Sequence, residues 1–166
     1  RQRSDDADRY LEEASERYTR PIVERHYHAP IDVFDAHLYE KSALVLHMLR
    51  VQLGDRAFFR TIGAYVARHR EGTVETRDLV RAIEDSTGRS VKPFFDQWVH
   101  RPGHPDLEAK LAWDEGKGRL SVTITQKLAP DATPWRFAVD LDCEHGGERS
   151  THRLELDSAE RAFQLA

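Results

Sequence analysis

The spacing of apolar residues changes at residues 101–105, an Arg-Pro-Gly-His-Pro segment. Before this segment, apolar residues recur every three or four positions, as in amphipathic helices. After it, they alternate with polar residues, as in half-buried strands. We therefore predict an α+β chain. Residues 1–103 form an antiparallel helical array, and residues 104–166 form a small antiparallel β-sandwich that need not be complete within this chain.

The first half contains five segments with helical spacing, at 5–18, from Asp32 or Asp35 to 53, 55–69, 76–87 and 90–98. Short loops between them indicate antiparallel neighbours. Short polar side chains can accept hydrogen bonds from free first-turn amides, and glycine suits the left-handed position after a helix. The residues assigned as caps are Asp32 or Asp35, Asp55, Thr76 and Ser90 at the amino ends, and Gly54 and Gly88 at the carboxyl ends.

The second predicted helix is apolar on nearly every face between Ala43 and Leu49. Such a helix is typically buried on several sides. A helical half of this size can hardly surround it. We therefore expect partner elements from an upstream part of the same protein, or self-association of the chain.

The second half contains strand patterns at 107–113, 120–124 and 135–143, and two weaker ones at 154–156 and 163–165. Glycines at 116, 118, 146 and 147 supply turns between them. Such short alternating runs with hairpin turns are typical of a β-sandwich.

Composition excludes several partners. The formal net charge is -4 and no block of like charges occurs, whereas phosphate binding needs a concentrated basic surface. No apolar run approaches the roughly 20 residues that span a bilayer. We expect no nucleic-acid and no membrane partner. The single cysteine, Cys143, excludes an internal disulfide and indicates a reducing compartment, so the expected location is cytoplasmic.

An ordered series of short motifs resembles the aminopeptidase N-like zinc metallopeptidases, the gluzincin family. The central motif is Tyr39-Glu40-Lys41-Ser42, which is similar to the family's Tyr-x-Lys-Gly segment. The resemblance is close from about residue 20 to residue 111 and looser beyond. The other matching motifs are Arg20-Pro21-Ile22-Val23, Phe34-Asp35, Leu53-Gly54-Asp55, Thr76-x-Asp78-Leu79, Glu84-x-x-x-Gly88, Phe94-Phe95-Asp96-Gln97-Trp98 and Gly103-His104-Pro105.

The resemblance implies that Tyr39 helps to hold the oxyanion formed when a peptide carbonyl is attacked. A phenol suits this task because it donates a hydrogen bond without carrying charge at neutral pH. The alternative is a core tyrosine whose hydroxyl meets a partner. For Glu40 and Lys41 we expect structural roles.

The resemblance also implies a zinc-dependent aminopeptidase that removes N-terminal residues from peptide substrates. This chain contains no His-Glu-x-x-His, so it does not bind the zinc through the family's ligands. In the family these ligands precede the tyrosine, so truncation accounts for their absence, and we expect the chain alone to be inactive.

Two other functions stay open. Serine at position 42, where the family has glycine, leaves room for a non-catalytic peptidase-like scaffold that binds other proteins. A free-standing helix–sandwich binding module is a third possibility.

The histidines at 26, 28 and 37 suggest metal binding, with His37 near Glu40 on one helix. Zinc needs three or four convergent ligands, and neither the His26–His28 pair nor the His37–Glu40 pair completes a set. We expect satisfied or exposed imidazoles and no metal ligands in this chain.

Overall fold

The computed structural model describes residues 2–165, and the chain forms two compact units that divide between Gly103 and His104. The first unit is helical and the second consists of antiparallel strands in two small sheets, which confirms the predicted α+β class. The described helices are α1 (Gln2–Glu16), a 3-10 turn (Pro30–Val33), α2 (Glu40–Leu53), α3 (Asp55–Arg68), α4 (Thr76–Thr87) and α5 (Lys92–Trp98).

Helix α2 begins at Glu40, later than the sequence predicted, because the two aspartates assigned as its caps close earlier turns. The Asp32 carboxylate accepts a hydrogen bond from the Ala29 N–H at 2.9 Å, at the start of the 3-10 turn. The Asp35 carboxylate accepts one from the Leu38 N–H at 3.0 Å.

The other amino-terminal caps were also displaced from the predicted residues. Helix α3 follows Gly54 directly, and α4 follows Glu75, whose N–H donates to the Asp78 carboxylate at 2.8 Å. The Ser90 hydroxyl donates to Glu84 at 2.9 Å instead of capping α5. At its carboxyl end, α4 meets Gly88 at φ +67, the left-handed conformation that the sequence predicted.

Helix α2 buries one stripe rather than several faces. Lys41, Val45 and Leu49 are buried and follow one another at four-residue spacing, while Leu46 is 39% and Val51 is 59% exposed. The remaining apolar side chains of α2 are half-buried or exposed in the described residues, so burial on several sides by partner elements stays a prediction. Within 2–165, no helix combines the length and the apolar character that crossing a membrane requires.

The second unit contains a three-stranded sheet facing a two-stranded sheet. In the first sheet β2 (Arg119–Gln126) is paired on its two sides with β1 (Leu107–Asp114) and β5 (Glu160–Leu165); the second joins β3 (Phe137–His145) to β4 (Glu148–Leu156). All pairs are antiparallel. The shared core consists of Val122, Ile124, Leu154 and Leu156.

Candidate functional site

Tyr39 stands at the residue before α2, with its side chain turned to solvent. The residue is 56% exposed, and its ring meets the Phe34 ring edge-to-face at 6.0 Å between centroids. Its N–H donates to the Asp35 carbonyl at 3.1 Å. It borders an open cleft of about 440 Å³ whose opposite wall is α1. This exposure argues against a core tyrosine, the alternative that the sequence left open.

Helix α1 is joined to the turn before α2 through Glu13. One carboxylate oxygen of Glu13 binds Arg17 at 2.7 Å, and the other accepts the Ala36 N–H at 2.7 Å. A more exposed pair, Arg9 with Glu40 at 3.5 Å, also crosses the cleft. Surface pairs of that kind contribute little, so the Glu13 contact to the backbone is the stronger link.

Arg20 organises the irregular segment that leads to Tyr39. Its guanidinium binds the Asp35 carboxylate with two nitrogens, at 2.5 and 2.8 Å. It also donates to the carbonyls of Pro21, Ile22 and Val33. Burial opposes ionisation of Asp35, but hydrogen bonds from Arg20, from the Leu38 amide and from the Tyr18 hydroxyl outweigh it and hold the pKa of that carboxyl below its ordinary value.

His37 lies beneath this turn and is fully buried. It precedes α2, so it does not share a helix with Glu40 as the sequence analysis assumed. Its ring is stacked on Tyr18 at 5.4 Å and edge-on to Tyr10 at 5.2 Å. Among the described residues neither ring nitrogen has a hydrogen-bond partner, so the expected satisfied or exposed imidazole is wrong here. Burial lowers the pKa of His37, against the attraction of Asp35.

One group in the described part of the chain brings metal-binding atoms together. Atoms of Glu13, Asp35 and His37 lie within 4.8 Å of one another. Each Asp35 oxygen already accepts two hydrogen bonds, from Arg20 with the Leu38 amide and from Arg20 with the Tyr18 hydroxyl. A carboxylate has about four lone-pair sites, so none is left, and the Arg20 cation adjoins them. A catalytic zinc also needs an open position. This group does not fit a zinc centre.

Lys41 is the other buried charge near Tyr39. It is 3% exposed, and its Nζ donates to the Gly103 carbonyl at 2.9 Å and lies 5.5 Å from the centre of the Tyr10 ring. Burial, with a smaller effect of the Arg20 charge, lowers the pKa of Lys41 from 10.5 to about 8. The bond to Gly103 is a contact of the structural kind expected for Lys41, whose role stays a prediction.

An apolar groove lies along the face of α2 that carries Ser42. It is lined by side chains of α2, α4 and α5, among them Val45, Leu46, Leu79 and Phe95. Its volume is about 1100 Å³. The serine that departs from the family's glycine therefore borders a groove and is not enclosed between helices.

Residues 2–98 match the family model described as "Peptidase family M1 domain". The chain belongs to peptidase family M1. Relatives include Aminopeptidase M1 of Arabidopsis thaliana, 31% identical over 140 residues, which are 82% of this chain and 16% of that protein. Aminopeptidase N of Lactococcus lactis subsp. lactis is 37% identical over 83 residues, which are 49% of this chain and 10% of that protein. These matches confirm the resemblance inferred from the motifs.

A solved structure has a similar fold. It is that of Legionella pneumophila aminopeptidase A in complex with aspartic acid, with a TM-score of 0.71 and 20% identity. The match covers 88% of this chain and 17% of that one. The chain thus spans about a sixth or less of each of the proteins described above.

In the cluster below Tyr39, the sequence prediction missed Glu13, and it named Lys41 without predicting its burial. Glu13 follows Tyr10 by three positions, so the two share a face of α1, and an acid on an apolar stripe was a usable signal. Lys41 likewise precedes Val45 and Leu49 at four-residue spacing, which marks it as buried.

Proposed function

We propose that the chain is the end of the catalytic domain, with the following β-sandwich, of a zinc-dependent aminopeptidase that removes N-terminal residues from peptides. The Tyr39 hydroxyl acts as a hydrogen-bond donor to the oxyanion of the tetrahedral intermediate. Membership of family M1 and relatives named as aminopeptidases support the reaction class. The observation that carries the role of Tyr39 is its exposed ring on a rigidly held turn.

The surroundings of Tyr39 suit a preorganised donor. Its hydroxyl has no hydrogen bond to any residue within 2–165, so it is free to donate to a substrate. The backbone that carries it is fixed by the Asp35 turn, which Arg20 holds in place. A donor whose position is set in advance needs no reorganisation when charge develops on the substrate, and for this reason such donors are effective.

We propose zinc binding for the whole protein and not for this chain. M1 aminopeptidases are generally zinc-dependent, yet the residues described here do not fit the metal. In the proposal, residues outside this chain would hold the zinc, which would supply an activated water as the nucleophile. The chain by itself is then expected to hydrolyse no peptide.

The test is Tyr39→Phe in the full-length protein that carries this chain. Losing one oxyanion donor lowers kcat by about 100-fold to 1000-fold, with KM changed much less because the substrate is not yet an oxyanion when it binds. The matched control is Tyr27→Phe, the same change at a tyrosine that is 50% exposed. Near-normal turnover of Tyr39→Phe would refute the catalytic role.

A non-catalytic scaffold is the second candidate, favoured by the groove that Ser42 borders. It predicts that the full-length protein binds peptides or proteins without hydrolysing them. Release of N-terminal amino acids from a peptide library by the purified protein, abolished by a zinc chelator, would exclude this candidate.

A further inference from the structure

The first turn of α2 is attached to the far end of the helical unit by a buried lysine. Lys41 lies two residues after Tyr39, and the Gly103 carbonyl that it binds is 62 positions along the chain. A methionine of nearly the same length would fill the space without an ammonium to bury. Burying a charge with few partners is unfavourable, so this lysine is a poor choice for stability alone.

We propose that Lys41 is a positioning residue for Tyr39: its ammonium holds the first turn of α2 to the Gly103 carbonyl and so fixes where the Tyr39 hydroxyl points. This inference rests on the proposed function, because it assigns a purpose to the position of Tyr39. Lys41 itself contacts no substrate in this account.

The backbone transmits the constraint over a short distance. The Lys41 N–H donates to the Ala36 carbonyl at 2.9 Å, and the Tyr39 carbonyl accepts the Ala43 N–H at 3.0 Å. The Tyr39 N–H is bound to the Asp35 carbonyl. These bonds link residues 35–43 into one unit, so a rotation of the turn at Lys41 moves the Tyr39 ring with it.

The Tyr39 side chain has little packing of its own to hold it. In the described part of the chain, its ring contact is with Phe34, which is itself 56% exposed. The backbone beneath it therefore sets the position of the Cα–Cβ bond from which the ring and its hydroxyl project. A small displacement of a catalytic donor is expensive, since about 1 Å can cost about 100-fold in rate.

The groups around Lys41 indicate that it acts as a hydrogen-bond donor to one backbone carbonyl and not as a member of an ion pair. The groups that face it are the Tyr10 ring, the Gly103 carbonyl and, at longer range, the buried ring of His37 and the like charge of Arg20. Within residues 2–165 no carboxylate forms a salt bridge with it. The lowered pKa of about 8 agrees with this balance. What Lys41 supplies is a directed N–H donor at the base of the turn.

A double-mutant cycle in the full-length protein tests the inference. Lys41→Met removes the donor at similar length, and we expect kcat to fall about tenfold, with KM changed less. In a Tyr39→Phe background the same change should have no further effect, because Lys41 acts only through the hydroxyl that is already gone. Lys92→Met, at an exposed lysine of α5, is the matched control.

The outcomes separate the two hypotheses. If Tyr39→Phe leaves kcat at the wild-type value, the proposed function fails. If Tyr39→Phe is slow but Lys41→Met is normal, or equally harmful in both backgrounds, the positioning role fails. Amide hydrogen exchange on the 166-residue chain decides the tether without activity. Lys41→Met should lower the protection of the Lys41 and Ala43 amides relative to that of the α4 amides, and an unchanged ratio of protection would overturn the inference.

Discussion

Lys41→Met should make the 166-residue chain more stable at neutral pH, although it removes a hydrogen bond. Burial lowers the pKa of Lys41 from 10.5 to about 8. That difference corresponds to about 3 kcal/mol of folding free energy spent on keeping the amine charged at neutral pH. The lost bond to the Gly103 carbonyl offsets about 1 kcal/mol, and water can reach that half-buried residue. The expected net gain is about 2 kcal/mol.

The gain should depend on pH in a defined direction. Between about pH 8 and 10.5 the unfolded chain binds a proton at Lys41 that the folded chain does not. Wild-type stability therefore rises with pH across this window, and the methionine variant lacks this rise. Groups away from Lys41 titrate alike in both chains and cancel in the difference, and His37, whose pKa is lowered in part by the Lys41 charge, is neutral in the wild-type chain throughout this window. The advantage of Lys41→Met should shrink by about 2 kcal/mol between about pH 7 and about pH 9.5.

Urea denaturation of the two chains at these two pH values measures the effect. Lys92→Met is the control, because that lysine is exposed and its change should stay within about 0.5 kcal/mol at both pH values. A Lys41→Met chain that is less stable at neutral pH would refute the reasoning. So would a difference that does not vary with pH, since either result means that contacts compensate the buried ammonium.

Two further substitutions test the cluster beneath Tyr39. Arg20→Lys keeps the charge but loses the two-nitrogen contact with Asp35, so we expect the urea midpoint to fall by the equivalent of about 3 kcal/mol. An unchanged midpoint would mean that this two-nitrogen contact is not needed for stability. His37→Phe removes a buried ring whose two nitrogens have no hydrogen-bond partner among the described residues. Because the pKa of His37 is lowered in the folded chain, the stability of the wild-type chain should fall as pH drops below about 6.5. The Phe variant should show less of this loss, and equal acid sensitivity of the two chains in urea titrations would contradict the assignment.

The division into helices and strands was predictable because each half repeats one spacing many times. The family resemblance could be recognised from the motif around Tyr39 because an unusual order of residues there precedes a long apolar helix. The start of α2 was not, since Asp32 and Asp35 are both good caps and the sequence cannot say which turn each closes. The burial of His37 depends on the path of residues 17–39, which carry no periodic pattern.

The sequence alone could not decide whether residues of this chain form another zinc site, because that depends on which side chains the fold brings together. Absence of the family's zinc motif is a fact of the sequence. That Glu13, Asp35 and His37 converge is a fact of tertiary structure, and so is the saturation of Asp35 by Arg20 that disqualifies them. The residue types of this group are those of metal ligands, whereas the hydrogen bonds that Asp35 already accepts exclude the group as a zinc site.

The hydrogen bonds that the Arg20 guanidinium donates have a practical consequence for engineering the chain. Arg20 grips both ends of one loop, through the carbonyls of Pro21 and Ile22 on one side and through Val33 on the other. The loop tip at residues 27–28 is exposed. Doubling the length of a flexible loop costs only about 0.6 kcal/mol. A fluorophore or affinity tag inserted at this tip should therefore leave the contacts of Arg20 at both ends of the loop intact.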